Sequence, residues 1–119
     1  MPNKILIVGN DQRYHELYKA MLEGRDYDII SAYDLTEAKK IVDQEDPDLI
    51  ITDMQLEMSK GEMLFLHLKE LFEHADVPVI LISAFSQRYL KGIDLDFVHI
   101  DKFDLTDEKL IEEVDKKLQ

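Results

Sequence analysis

Asp53 is the residue in this chain best placed to do chemistry, because Leu49-Ile50-Ile51-Thr52 runs straight into it and Gly61 follows eight positions later. A carboxylate at the exit of a buried apolar strand is costly to desolvate, so it needs partners or a task. Acidic, hydroxyl and basic residues stand at the ends of the other apolar runs. Gly9-Asn10-Asp11 follows the first, Ser83 the fourth, and Lys102 lies just beyond the fifth. Each has an ordinary reading alone: Asp53 as a cap on the next loop, Ser83 as a hydroxyl satisfied by backbone, Lys102 as a solvated surface lysine. Their value is joint, since together they set an anion, a hydroxyl and an ammonium at strand ends.

The elements that must position them are legible as strand-length apolar runs alternating with segments of helical period. The strands are Ile5-Leu6-Ile7-Val8, Tyr27 to Ala32, Leu49 to Thr52, Val79-Ile80-Leu81-Ile82 opened by Pro78, and Phe97 to Ile100. Tyr14, Leu17, Tyr18, Met21 and Leu22 share a helical face after the first strand. Asp34 and Glu37 have capping-box spacing before Ala38, Ile41 and Val42, and Pro47-Asp48 breaks that helix. A third helical face comprises Leu64, Phe65, Leu68, Leu71 and Phe72, a short helix is expected over Gln87 to Lys91, and the last carries Leu110, Ile111, Val114 and Leu118. Strands alternating with helices imply βαβ units, and the continuous apolar character of the first, third and fourth strands implies cover on both faces. The expectation is a doubly wound α/β fold with a crevice at the carboxyl ends of its central strands.

Composition narrows the partners. The 119 residues suffice for one domain, spanning 1–119, and 45% hydrophobic with 34% charged content is that of a globular protein. No apolar run approaches the roughly 18 residues of a membrane span, and the four strongly apolar residues before Gly9 are too few for a signal-peptide core. With no cysteine, disulfides, thiolate metal sites and cysteine nucleophiles are excluded, and a cytoplasmic location is expected. A net charge of -12, with no basic cluster larger than a pair such as Lys116-Lys117, opposes nucleic acid and anionic membrane surfaces. A protein or small ionic partner fits better.

At this point the chain resembles the receiver domain of two-component response regulators over essentially its whole length. Lys4-Ile5-Leu6-Ile7-Val8 is similar to that family's opening strand, Pro47-Asp48-Leu49-Ile50-Ile51-Thr52-Asp53 to the approach to its phosphoacceptor, and Gly61 to the glycine after it. Val77-Pro78-Val79-Ile80-Leu81-Ile82-Ser83-Ala84 resembles the strand ending in its hydroxyl residue, and Lys102 stands where its lysine is expected. The resemblance implies a five-stranded parallel sheet of flavodoxin-like topology in the order 2-1-3-4-5. It makes Asp53 the nucleophile that takes a phosphoryl group from a histidine kinase, a phosphotransfer protein or a small phosphodonor. Lys102 becomes the point charge on the phosphoryl oxygens, and Ser83 the hydroxyl that carries the change to a surface read by a downstream protein target. Mg²⁺ is implied as cofactor, held by Asn10, Asp11, Asp53 and the backbone carbonyl of Gln55. Such a protein is expected to be a monomer or weak dimer and not an enzyme in its own right.

Several positions depart from that pattern. Gly9-Asn10 stands where the family has two adjacent acidic residues, so Mg²⁺ binding is expected to be weak and phosphorylation slow. Asp11 either reaches the ion through water or caps the first helix. His99 replaces the aromatic switch residue, Phe103 follows the lysine where proline is usual, and Glu57 adds negative charge near the acceptor. The stretch from Ser83 to Lys102 is about three residues short of the family's usual length. His67 and His74, seven apart, are read as solvent histidines and no zinc site is proposed. A pseudo-receiver that binds its partner without phosphorylation is the alternative. A flavodoxin-like or haloacid-dehalogenase-like enzyme is a third, but it lacks a phosphate loop after the first strand and has Gln55 in place of a second aspartate.

Overall fold

The structure is a computed structural model that describes residues 2–54, 69–70, 73, 76–83 and 97–118. The expectations for Gly61, the Leu64 to Phe72 helical face, His67, His74 and the Gln87 to Lys91 helix lie outside the described residues, as do Gln55 and Glu57. The elements run β1 (Asn3–Val8), α1 (Gln12–Met21), β2 (Tyr27–Ala32), α2 (Leu35–Glu45), β3 (Leu49–Met54), β4 (Val79–Ser83), β5 (Val98–Asp101), a 3₁₀ turn (Lys102–Asp104) and α3 (Asp107–Leu118). All strand pairs are parallel and the sheet order is β2-β1-β3-β4-β5. Among the described residues no helix is long and apolar enough to cross a membrane.

The two-residue period of the strands sorts their side chains into two cores. Leu6, Val8, Ile50, Val79 and Leu81 pack with Ala32 and Ala38 on the α2 side. Ile5, Ile7, Leu49, Ile51, Ile80, Ile82 and Ile100 pack with Tyr18, Leu22, Leu110 and Val114 on the α1 and α3 side. This alternation explains why β1, β3 and β4 read as unbroken apolar runs, since both faces are covered. It also assigns a side to each polar strand-end residue. Asp53 continues the Leu49, Ile51 set and is in register with Ile82, so it faces α1 and α3. Ser83 continues the Val79, Leu81 set, and Leu81 is in register with His99, so both polar groups belong to the other face.

Helix ends follow local chemistry. Asp34 accepts from Glu37 N (2.7 Å), and Glu37 Oε1 accepts from Tyr33 N (3.2 Å), one residue earlier than a strict capping box. The helix closes at Asp46 in the left-handed region (φ 50), just ahead of Pro47. Asp48 then pins the start of β1, its carboxylate accepting from Lys4 N (2.8 Å) and its own N–H donating to Lys4 O (2.8 Å). Thr106 Oγ1 caps α3 by accepting from Lys109 N (3.1 Å). Arg25 and Tyr27 both donate to Asp115, fastening the α1–β2 junction to α3. One expectation needs correction: Leu17 is 40% exposed, while His15 is buried in its stead. Leu17 lies about 100° round the helix from Tyr18, at the rim of the stripe, and the buried line runs through His15, Tyr18 and Leu22.

Candidate functional site

The carboxyl ends of β1 and β3, the start of α1 and the turn after β5 converge on Asp53. Asp53 is 6% exposed, and its two oxygens are both engaged. Lys102 Nζ donates to Oδ1 at 2.7 Å, and Tyr18 OH donates to Oδ2 at 2.5 Å. Lys102 reaches in because the chain turns sharply at the end of β5, where Asp101 accepts from Phe103 N (2.9 Å) and starts the 3₁₀ turn. Its ammonium also lies 3.7 Å from the centroid of the Tyr14 ring, a cation–π contact in a largely desolvated setting. Tyr14 and Tyr18 pack on each other at 6.2 Å between ring centroids. Two tyrosines of α1 therefore grip the Asp53–Lys102 ion pair, one at each end. Burial and the hydrogen bond to Asp53 push the Tyr18 phenol far above its ordinary value.

The neighbouring corner, after β1, is filled from α1 as well. His15 Nε2 is 2.7 Å from Gly9 O, and because a carbonyl accepts, Nε2 carries the proton. His15 Nδ1 is 2.9 Å from Ser31 Oγ, and the ring lies against Tyr33 at 4.4 Å. Gly9 sits so close to the acceptor strand that a Cβ there would stand 3.3 Å from Asp53 Cβ and 3.7 Å from His15 Nε2. Asn10 is exposed. Asp11 caps α1 through Arg13 N (2.9 Å) and takes the Arg13 guanidinium on both oxygens (3.1 and 2.7 Å). These Arg13 hydrogen bonds hold the Asp11 carboxyl down to about 2. Of the two readings for Asp11, the structure supplies the helix cap.

Ser83 stands at the end of β4 with its Oγ 3.0 Å from His99 Nε2, a pairing across adjacent strands. Burial lowers the His99 pKa, against opposing contributions from Ser83 and Asp101. The structure thus brings Asp53 and Lys102 into direct contact and pairs Ser83 with His99, but it does not gather all four into one hydrogen-bonded set. It adds Tyr14 and Tyr18, whose spacing alone implies core packing, and His15, for which the sequence carries no signal. The available signal was the residue type, since a tyrosine on the buried stripe of a helix carries a hydroxyl that must find a partner.

The donor set does not fit a resident Mg²⁺. That ion keeps several waters in an octahedral shell and is held by one or two carboxylates that are open to it. Here Asp53 has a cation on one oxygen and a phenol on the other, Gly9 has no side chain and its carbonyl is occupied, Asn10 is uncharged, and Asp11 is neutralised by Arg13. Among the described residues no group of three His, Cys, Asp or Glu side chains could hold a metal ion.

Comparison with known proteins decides the family. A family model described as the response regulator receiver domain matches residues 5–111. The chain belongs to the response regulator receiver domains. It is 30% identical over 88 residues to the polar-differentiation response regulator DivK of Brucella anthropi, covering 74% of this chain and 72% of DivK. It is also 30% identical over 96 residues to the alkaline phosphatase synthesis transcriptional regulatory protein PhoP of Bacillus subtilis, covering 81% of this chain but 39% of PhoP. Among solved structures, a response regulator from Desulfuromonas acetoxidans superposes with a TM-score of 0.73 at 25% identity, covering 98% of this chain and 96% of that one. The receiver domain of the hybrid histidine kinase CckA gives a TM-score of 0.68 at 24% identity over 98% of this chain and all of that one. The sheet order 2-1-3-4-5 expected of this receiver is the one observed. Receiver domains are signalling modules of two-component systems that work with histidine kinases or phosphotransfer proteins, and this receiver differs in how its acidic corner is furnished.

Proposed function

We propose that this chain is a receiver module, single over residues 1–119 and cytoplasmic, that signals by binding another protein while Asp53 stays in a permanent ion pair. The observation that supports this most is the double occupancy of Asp53, with Lys102 at 2.7 Å on one oxygen and Tyr18 at 2.5 Å on the other. An attacking carboxylate needs a lone pair open to the incoming phosphoryl group and cations to neutralise that group. Here both oxygens of Asp53 already accept hydrogen bonds, and the cation beside it, Lys102, is engaged with Asp53 itself. The net charge of -12 favours a protein partner with basic contacts over nucleic acid.

A second reading is favoured by the Asp53–Lys102 contact at the carboxyl end of the sheet. In it a histidine kinase or phosphotransfer protein delivers a phosphoryl group to Asp53, Lys102 neutralises its oxygens and Ser83 leaves His99 to bind it. One experiment separates the two. Wild type and Asp53→Asn are incubated with Mg²⁺ and a small phosphodonor and weighed intact by mass spectrometry. The first reading expects no phosphoryl adduct on either protein, and an adduct confined to wild type overturns it in favour of the second.

A further inference from the structure

Three side chains of α1 reach the strand-end corner. His15 binds the Gly9 carbonyl, Tyr18 binds Asp53, and Tyr14 lies against the Lys102 ammonium. The Tyr18 ring is fully buried, so its hydroxyl has no water to fall back on. Breaking its bond to Asp53 strands a buried donor and a buried anion oxygen together. The Ser83 hydroxyl, by contrast, is spent on His99, and alternation along β4 turns it toward the opposite face of the sheet from Asp53.

We infer that Tyr18 is a positioning residue that holds the second oxygen of Asp53, and that it makes α1, rather than the Ser83–His99 pair, the element coupled to the Asp53–Lys102 pair. This deepens the reading that Asp53 stays paired while the module binds another protein, and rests on it. A partner that disturbs the Asp53–Lys102 pair loosens the grip of Tyr18 directly, and that of Tyr14 through Lys102. The helix that moves is then α1, and its outward face, which includes the 40% exposed Leu17, is the surface that changes.

The test is site-resolved amide hydrogen exchange on wild type, Tyr18→Phe, Asp53→Ala and the double variant. Phenylalanine keeps the ring and removes the hydroxyl alone, so a packing role is left intact. Expected is a rise of about tenfold or more in exchange across Gln12–Met21 in each single variant, with the double variant no faster than Asp53→Ala, because Asp53→Ala already deletes the Tyr18 bond. Additive effects, or an α1 as protected in Asp53→Ala as in wild type, overturn the inference. If Asp53→Ala does not fold, the hydroxyl proton of Tyr18 is sought by NMR in wild type. A slowly exchanging resonance close to the Asp53 β-protons supports the assignment, and rapid exchange with water overturns it. A phosphoryl adduct on wild type defeats the reading that Asp53 stays paired by a different measurement, so the two failures are distinguishable.

Discussion

Ser83 and His99 form a hydrogen bond of 3.0 Å between the end of β4 and the middle of β5. Burial lowers the pKa of His99, so the folded protein favours the neutral ring. The unfolded chain takes up the proton at about pH 6.5, so the contribution of His99 is whole above that value and is lost as pH falls through and below it. Thermal melts between pH 5 and 8 are therefore expected to show a steeper acid-side decline for wild type than for His99→Phe. Identical slopes would show that His99 plays no such part.

At the alkaline end the tyrosines set the limit. Tyr18 is held protonated chiefly by burial and then by its bond to Asp53, and Tyr27 chiefly by burial and then by Asp115. Unfolded tyrosine ionises near pH 10, so the stability they confer is complete below that pH and erodes above it. The loss is about 1.4 kcal/mol per pH unit for each phenol kept protonated in the fold. Urea unfolding from pH 9 to 11 is expected to show a shallower decline for Tyr18→Phe than for wild type.

The Lys102 side chain is 12% exposed and that of Asp53 3%, so this ion pair is a buried one. Removing one partner leaves an uncompensated charge. Lys102→Met is expected to lower unfolding free energy by about 3 kcal/mol. Adding Asp53→Asn should return part of that loss, since the stranded anion is then gone. A double variant less stable than Lys102→Met, in a denaturant titration, would refute the assignment of the pair as mutually compensating.

Gly9 is required by proximity. A methyl group at that position meets Asp53 Cβ at 3.3 Å, with the Asp53 carbonyl at 3.4 Å. Gly9→Ala is expected to cost about 1 kcal/mol, at the lower end of overpacking, read as a reduced urea midpoint. Gly9→Ser should be no better tolerated, because its extra atom is added to the same crowded place.

Mg²⁺ at millimolar concentration is expected to leave the melting temperature unchanged, because a ligand stabilises only in proportion to its binding of the folded state. Asn10→Asp alone should add little, since that carboxylate is placed on an exposed residue while Asp53 remains occupied. A clear upward shift of wild type with Mg²⁺ would contradict the donor set described above.

Much of the fold was legible because burial on both sides writes itself as uninterrupted apolar runs. Ile5 to Val8, Leu49 to Ile51 and Val79 to Ile82 stood out for that reason, and β2 was recovered from Tyr27 to Ala32 as observed. Asp34 and Pro47 marked the ends of α2 by their chemistry. The placement of Lys102 beside Asp53 followed from strand-end topology together with family resemblance.

What stayed hidden was the use of α1. A tyrosine counts as apolar in a periodicity argument, so Tyr14 and Tyr18 read as a packing face, and the destination of the Tyr18 hydroxyl depends on a residue 35 positions away in sequence. His15 is silent in the sequence because a buried histidine resembles a surface one until its partners, Gly9 O and Ser31 Oγ, are known. Leu17 was misplaced because helical period fixes a stripe but not its edge. The fate of Asp11 turned on Arg13, two residues on, a competition that spacing alone does not resolve.

The strand parity that turns Asp53 toward α1 and Ser83 toward the α2 side has a consequence for how such a protein can change over time. The two polar devices share no side chain, and a packed sheet lies between them. Substitutions in one therefore need not touch the hydrogen bonds of the other, although Asp53 and Ser83 end adjacent strands and can couple through the backbone. A receiver arranged in this way can alter the hydrogen bonds on one face of its sheet while those on the other stay formed.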